Sequence, residues 1–105
     1  MGQLLGSRFT KANLSGADLS DTLFGESDFL ETNLSGAKLC SADLEWAFLA
    51  GANLTDADLT GTNLKRADLT DVVGLTKEQV DSAVTDEWTT LPDYLEAFDS
   101  TAQSD

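Results

Sequence analysis

The sequence has no histidine, one cysteine (Cys40), one proline (Pro92) and one methionine, and only six of its 105 residues are basic against nineteen acidic. Without histidine there is no imidazole to act as general base or metal ligand, which excludes Ser-His-Asp and Cys-His arrangements. A single thiol forms no internal disulfide, and with no imidazole beside it Cys40 offers neither a metal site nor an activated nucleophile. There is no glycine-rich phosphate loop, so no cofactor is expected. The formal net charge of −13 leaves no basic stripe for phosphate, and direct nucleic-acid binding is not expected. No apolar run approaches membrane-spanning length, and Met1 to Ser7 lacks the basic and apolar regions of a signal peptide. Gly2 stands where a myristoyl group would attach, but the sixth residue is Gly6, where that signal has Ser or Thr. No membrane association is expected. A cytoplasmic location fits the free thiol, with a cleaved leader to a lumen or the periplasm as the alternative.

What the sequence does have is a period of five. Ala12-Asn13-Leu14-Ser15-Gly16 is followed by Ala17-Asp18-Leu19-Ser20-Asp21, and the series runs on through Ala67-Asp68-Leu69-Thr70-Asp71. The central residue is Leu or Phe at every step from Leu4 to Leu69, with Phe at 9, 24 and 29. Two places before it sits a small residue, mostly Ala, otherwise Gly, Ser or Thr. Five fits neither the 3.6-residue period of a helix nor the two-residue alternation of a strand, so either one, continued, would smear the central residues around its surface. Each unit is therefore its own short extended segment plus a bend. In extended geometry the central residue and the small one two places earlier share a side, so these two are the predicted core and the other three positions face out.

A small residue, then Asp or Asn, then Leu or Phe, then two mostly polar residues resembles the motif of the pentapeptide-repeat family. The resemblance covers about two-thirds of the chain and is specific, because an unbroken series of such units does not arise by chance. It implies an all-β solenoid, the right-handed quadrilateral β-helix, of about three and a half coils with one unit per side and twenty residues per coil. Coils would then stack at roughly 4.8 Å.

On that register, residues twenty apart lie above one another. Asn13, Asn33 and Asn53 form one predicted outward ladder, in which amides can hydrogen-bond up the stack. Asp18, Lys38 and Asp58 form another, with a cation between two carboxylates. Four outward positions break the motif: Leu23 and Phe48 replace its Asp or Asn, and Leu30 and Trp46 fall where polar residues are expected. Leu30, Ala50 and Phe48 stack on one predicted face, with Trp46 at the adjoining corner and Arg66 one coil beyond it, in cation-π range. Leu23, Leu30, Trp46, Phe48, Ala50 and Arg66 are thus the candidate protein-binding patch. The competing reading is that the patch is covered, by a second copy of the chain or by the chain's own tail, where Tyr94, Leu95 and Phe98 are apolar at helical spacing.

The repeat fails at Val72-Val73-Gly74, where Gly stands in place of Leu. Thr76 and Gln79 then form a capping-box pattern, with Leu75 placed as a hydrophobic staple against Val80. A helix over about 77–84 is predicted to cover the open end of the solenoid, since an uncovered last coil would expose its core and unpaired backbone. The Gly-Leu-Thr-x-Glu-Gln stretch followed by Thr90-Leu91-Pro92 is similar to tails that follow the repeats in this family, which implies the same capping role. A second helix over 93–98 is expected. The organisation read from the sequence is a solenoid over 1–73, a cap over 74–98 and a frayed acidic terminus over 99–105.

Function follows from what is missing and what is exposed. The resemblance and the lack of catalytic motifs imply a non-enzymatic interaction or scaffold module with a protein partner, a homodimer being one form of that. The resemblance also carries an alternative, a DNA-mimicking protein that binds a type II topoisomerase. Against that alternative, the rod is short and the acidity is not concentrated on it: from Gly74 onward eight acidic residues and one Lys give a net −7, while eleven acidic and five basic residues give residues 1–73 a net −6.

Overall fold

The computed structural model describes residues 6–95; the unit centred on Leu4, Phe98 and the segment expected to fray lie outside them. From Gly6 to Asp71, every fifth residue has a positive φ. From Lys11 onward, each of these left-handed residues is the third of a four-residue turn whose fourth N–H returns to the central Leu or Phe carbonyl, as from Ala12 to Phe9 at 2.9 Å and from Ala47 to Leu44 at 2.9 Å. Positive φ at the third residue is what a type II turn requires. Four such corners bring the chain back over itself after twenty residues.

Successive coils then pair in parallel, Arg8 with Asp28, Asn13 with Asn33, Asp18 with Lys38, Leu23 with Asp43, and so on up to Asn53 with Val73. Each rung is a pair of backbone bonds, such as Phe29 N–H to Phe48 O at 2.7 Å and Phe48 N–H to Ser27 O at 3.0 Å. The contacts recur too briefly at each side to make long strands, because every side is interrupted by a corner. We number the sides by their first central residue: the first carries Phe9, Phe29, Leu49 and Leu69, the second Leu14, Leu34 and Leu54, the third Leu19, Leu39 and Leu59, and the fourth Phe24, Leu44 and Leu64.

The interior is what the period predicts. The central residues from Phe24 to Leu69 are buried, together with the small residues Ala37, Ala42, Ala47, Ala52, Ala57 and Ala67. Burying each Leu or Phe contributes roughly 1.5–3 kcal/mol. Where Thr takes the small position it stays satisfied: the hydroxyls of Thr32 and Thr62 donate to the carbonyls of Phe9 and Leu39, each at 2.6 Å. Phe9, Phe24 and Phe29 pack ring on ring in the first two coils, with Phe9 stacked on Phe29 at 5.0 Å.

The Asp or Asn position has a different role from the one its stacking suggests. The Oδ1 of Asn13, Asn33 and Asn53 is occupied inside its own unit, accepting the backbone N–H of Ser15, Ser35 and Thr55 and their hydroxyls. The expected amide-to-amide ladder is thus replaced by a turn that each side chain closes locally.

At the far end, Gly74 turns the chain inward. Its φ is +78°, and a Cβ there would stand 2.1 Å from Thr55 Oγ1, so only glycine fits and Leu75 is delivered into the core. The helix α1 spans Lys77–Ser82 and opens with the predicted capping box: Thr76 Oγ1 accepts the Gln79 N–H and Gln79 Oε1 accepts the Thr76 N–H. It ends before the expected residue 84 because Val84 is taken by the sheet, donating to Thr62 O and accepting from Leu64 N–H. Thr90 likewise pairs with Asp68. Gln79 Nε2 donates to both Leu54 O and Ala57 O, at 2.9 and 2.8 Å, so a side chain satisfies the last coil where backbone partners end.

Candidate functional site

The first side and its corners carry the motif-breaking residues Leu30, Trp46 and Phe48. Along the outward row Arg8, Asp28, Phe48 and Asp68 follow one another coil by coil, and Thr90 of the tail completes the row. Asp28 and Asp68 close their turns, accepting the N–H of Leu30 and Thr70. Phe48 has no acceptor to offer Ala50. Its ring is 49% exposed, between two carboxylates. Leu30 and Ala50 adjoin it one row over and line a shallow depression with Thr10, Glu31, Gly51 and Asp71.

Trp46 holds the corner before Phe48, with φ +66°. The left-handed conformation costs a side-chain-bearing residue roughly 1–2 kcal/mol, so Asp, Asn or Gly is the expected occupant, as at Gly16, Gly36 and Asp56. Trp46 is nonetheless 49% exposed. The Arg66 guanidinium one coil above lies 5.3 Å from its ring, and 4.9 Å from the ring of Trp88 on the other side. Trp46, Arg66, Trp88 and Thr90 line an open depression beside Phe48. Such cation-π contacts contribute about 0.5–1 kcal/mol each at exposed sites.

Asp86 places Trp88. Its Oδ1 accepts the N–H of Arg66 at 3.1 Å and of Trp88 at 3.0 Å, and the Thr89 hydroxyl at 3.2 Å. Burial pushes this carboxyl up, but these hydrogen bonds outweigh it and hold its pKa below the usual aspartate value. Trp88 is 59% exposed.

Five of the six patch residues read from the sequence, Leu30, Trp46, Phe48, Ala50 and Arg66, therefore lie on one side and its corner. Leu23 does not: it is half-buried on the fourth side, paired with Asp43. Among the described residues, Tyr94 and Leu95 do not lie over the patch; Phe98, the third residue of that competing reading, lies outside the described residues. Tyr94 donates to Val72 O and accepts from Leu75 N–H, and Leu95 is buried in the end cap. The residue missed was Trp88. The twenty-residue register carries Asp86 to Arg66 but would set position 88 over Asp68, where the structure pairs Thr90, so the period alone does not find it.

The remaining chemistry is quiet. The Asp58 carboxylate beside Cys40, ahead of burial, pushes the thiol pKa up, away from nucleophilic use. Asp58 is held low by the Thr60 hydroxyl first and then by Cys40. Asp18 is held low by the Ser20 N–H and hydroxyl. Among the described residues no group of His, Cys, Asp and Glu is arranged to hold a metal ion, and no helix is long and apolar enough to cross a membrane.

Solved structures with this geometry are pentapeptide repeat proteins. One from Nostoc Pcc 7120 is 30% identical, with a TM-score of 0.72 over 83% of this chain and 71% of its own. QnrB1, a plasmid-mediated fluoroquinolone resistance protein, is 25% identical, with a TM-score of 0.60 over 75% of this chain. HetL of Nostoc sp. strain PCC 7120, involved in heterocyst differentiation regulation, is 29% identical, with a TM-score of 0.56 over 78% of this chain. The chain spans only 40% and 42% of the length of the last two. No curated protein matches its sequence. The shared architecture is the right-handed quadrilateral β-helix, and proteins built on it are generally structural or interaction modules. The family model for pentapeptide repeats matches residues 7–45 and 41–73, and the chain belongs to the pentapeptide-repeat family.

Proposed function

We propose that this protein is a non-enzymatic interaction module that binds a partner protein through the first side of its solenoid, with Phe48 and the Trp46–Arg66–Trp88 stack as anchors. One observation carries the reading: Phe48 occupies a turn-closing position where Asn or Asp would stabilise the fold, and its ring is left open to solvent. Exposed aromatic and Arg side chains grouped around an apolar patch are the residues that dominate protein interfaces. A photoreactive phenylalanine analogue at position 48, and separately at Asn33 on the second side, tests this in extracts of the source cells. An adduct formed from 48 and not from 33 is expected. The same adducts from both positions would sink the proposal.

Mimicry of a DNA duplex is the weaker reading. A duplex presents unbroken rows of phosphate, whereas each acidic row here is interrupted: Lys38 lies between Asp18 and Asp58, Phe48 between Asp28 and Asp68, and Asn63 follows Asp43. Unchanged DNA supercoiling by gyrase in excess protein is the expected result. A half-exposed free thiol at Cys40 is in keeping with a reducing compartment such as the cytoplasm.

A further inference from the structure

The partner's chemistry can be read from the ground around Trp46. Along the corner column, Arg66 covers Trp46 from the coil above, while on the side toward the coil below Trp46 lines a depression with Gly25, Glu26, Asp43 and Glu45. Three carboxylates thus flank an indole, and no cation lines that depression. On the other side of the corner lies the apolar ground of Phe48, Leu30 and Ala50, with Asp28 and Asp68 above and below the Phe48 ring. The two surfaces meet at Trp46, two residues from Phe48.

Resting on the reading that this side binds a protein, we propose that the occupant is a cationic segment of another protein. An Arg or Lys side chain of that segment enters the Glu26/Asp43/Glu45 depression against Trp46, and a neighbouring aliphatic or aromatic side chain packs on Phe48. Charge complementarity selects this occupant over the others. A guanidinium or ammonium is held by carboxylates and by the ring quadrupole together. A second copy of this chain would bring the same carboxylates against themselves in a two-fold contact, at a net charge of −13 on each molecule. A nucleic acid is repelled for the same reason.

The test is selection of a random peptide library displayed on phage against the intact chain at low ionic strength, followed by fluorescence anisotropy with the synthesised winners. Peptides carrying Arg or Lys within a few residues of Leu, Phe or Trp are expected. Phe48→Asn and the pair Glu26→Gln/Glu45→Gln should each weaken binding about tenfold, and the glutamine pair should flatten its salt dependence. Winners without basic residues, or binding lost in Phe48→Asn but untouched by the glutamine pair, would overturn the cationic occupant while leaving the surface as a binding site. Binding indifferent to Phe48→Asn, or a selection that enriches nothing, would overturn both readings. A dimer in sedimentation analysis that Phe48→Asn dissociates would give the surface to a second copy and overturn the proposal.

Discussion

Phe48 and Asp68 occupy the same position in successive coils and pair in parallel register, yet only Asp68 closes its turn, accepting the Thr70 N–H at 3.0 Å. Phe48→Asn supplies the missing acceptor for Ala50 N–H, in a conformation that Asn13, Asn33 and Asn53 already adopt. A net gain of about 1 kcal/mol is expected, read as a higher urea midpoint with unchanged slope. Destabilisation would mean that the ring contributes to the fold.

Gln79 is predicted to matter more than a capping box implies. Removing a cap costs about 0.5–2 kcal/mol, but Gln79→Ala also strips the Ala57 carbonyl of its donor and leaves the Leu54 carbonyl with only the Ala57 N–H of its own turn. A loss of about 2–4 kcal/mol is expected. Gln79→Glu keeps the acceptor for Thr76 N–H and sets a carboxylate oxygen against two carbonyl oxygens, so it should be no better than alanine. Thermal unfolding of both variants decides this: if Gln79→Glu is as stable as the parent, the contact to the last coil contributes nothing.

These two residues also show how far the sequence could be read. The period of five placed the core, buried from Phe24 to Leu69, because a side chain at the centre of a unit has nowhere to go but inward; Phe9, Leu14 and Leu19, nearer the open end, are only partly buried against it. The same period marked Phe48 and Trp46 as departures. The Thr76–Gln79 capping box was legible because a helix start is a local contact. The second bond set of Gln79, and Trp88 beside Arg66, were not read, because both depend on where the tail re-enters the coil. After Asp71 the chain adds residues at each return: Val84 pairs with Asn63 and Thr90 with Asp68, twenty-one and twenty-two apart instead of twenty. That slip also separates the tail's apolar residues, sending Leu95 to the end cap and leaving Trp88 at the patch.

Gly74 is where the slip begins, and it tolerates no side chain. A Cβ there meets Thr55 Oγ1 and also the Thr55 backbone at 2.8 Å, and the left-handed φ adds its own penalty. Gly74→Ala is expected to cost about 2–4 kcal/mol and to loosen the cap before the coils. Hydrogen exchange should therefore quicken at Val84 and Thr90 while Leu34 and Leu39 keep their protection. Uniform quickening would show that the cap and the coils unfold as one unit.

Asp86 makes the placement of Trp88 sensitive to acid. Because its folded pKa lies below the usual aspartate value, its contribution is complete above that value and is lost as pH falls through the lowered folded pKa. Trp88 emission, isolated by Trp46→Phe, should hold steady from neutral pH down to about 4 and change below it. Asp86→Asn keeps an acceptor but carries no charge, so the same acid step should be missing from its titration. Asp18 and Asp58, also held low, remain in both proteins, and the difference between the two curves reports Asp86 alone. An identical acid step in Asp86→Asn would assign the transition to the coils and remove Asp86 as the residue that positions Trp88.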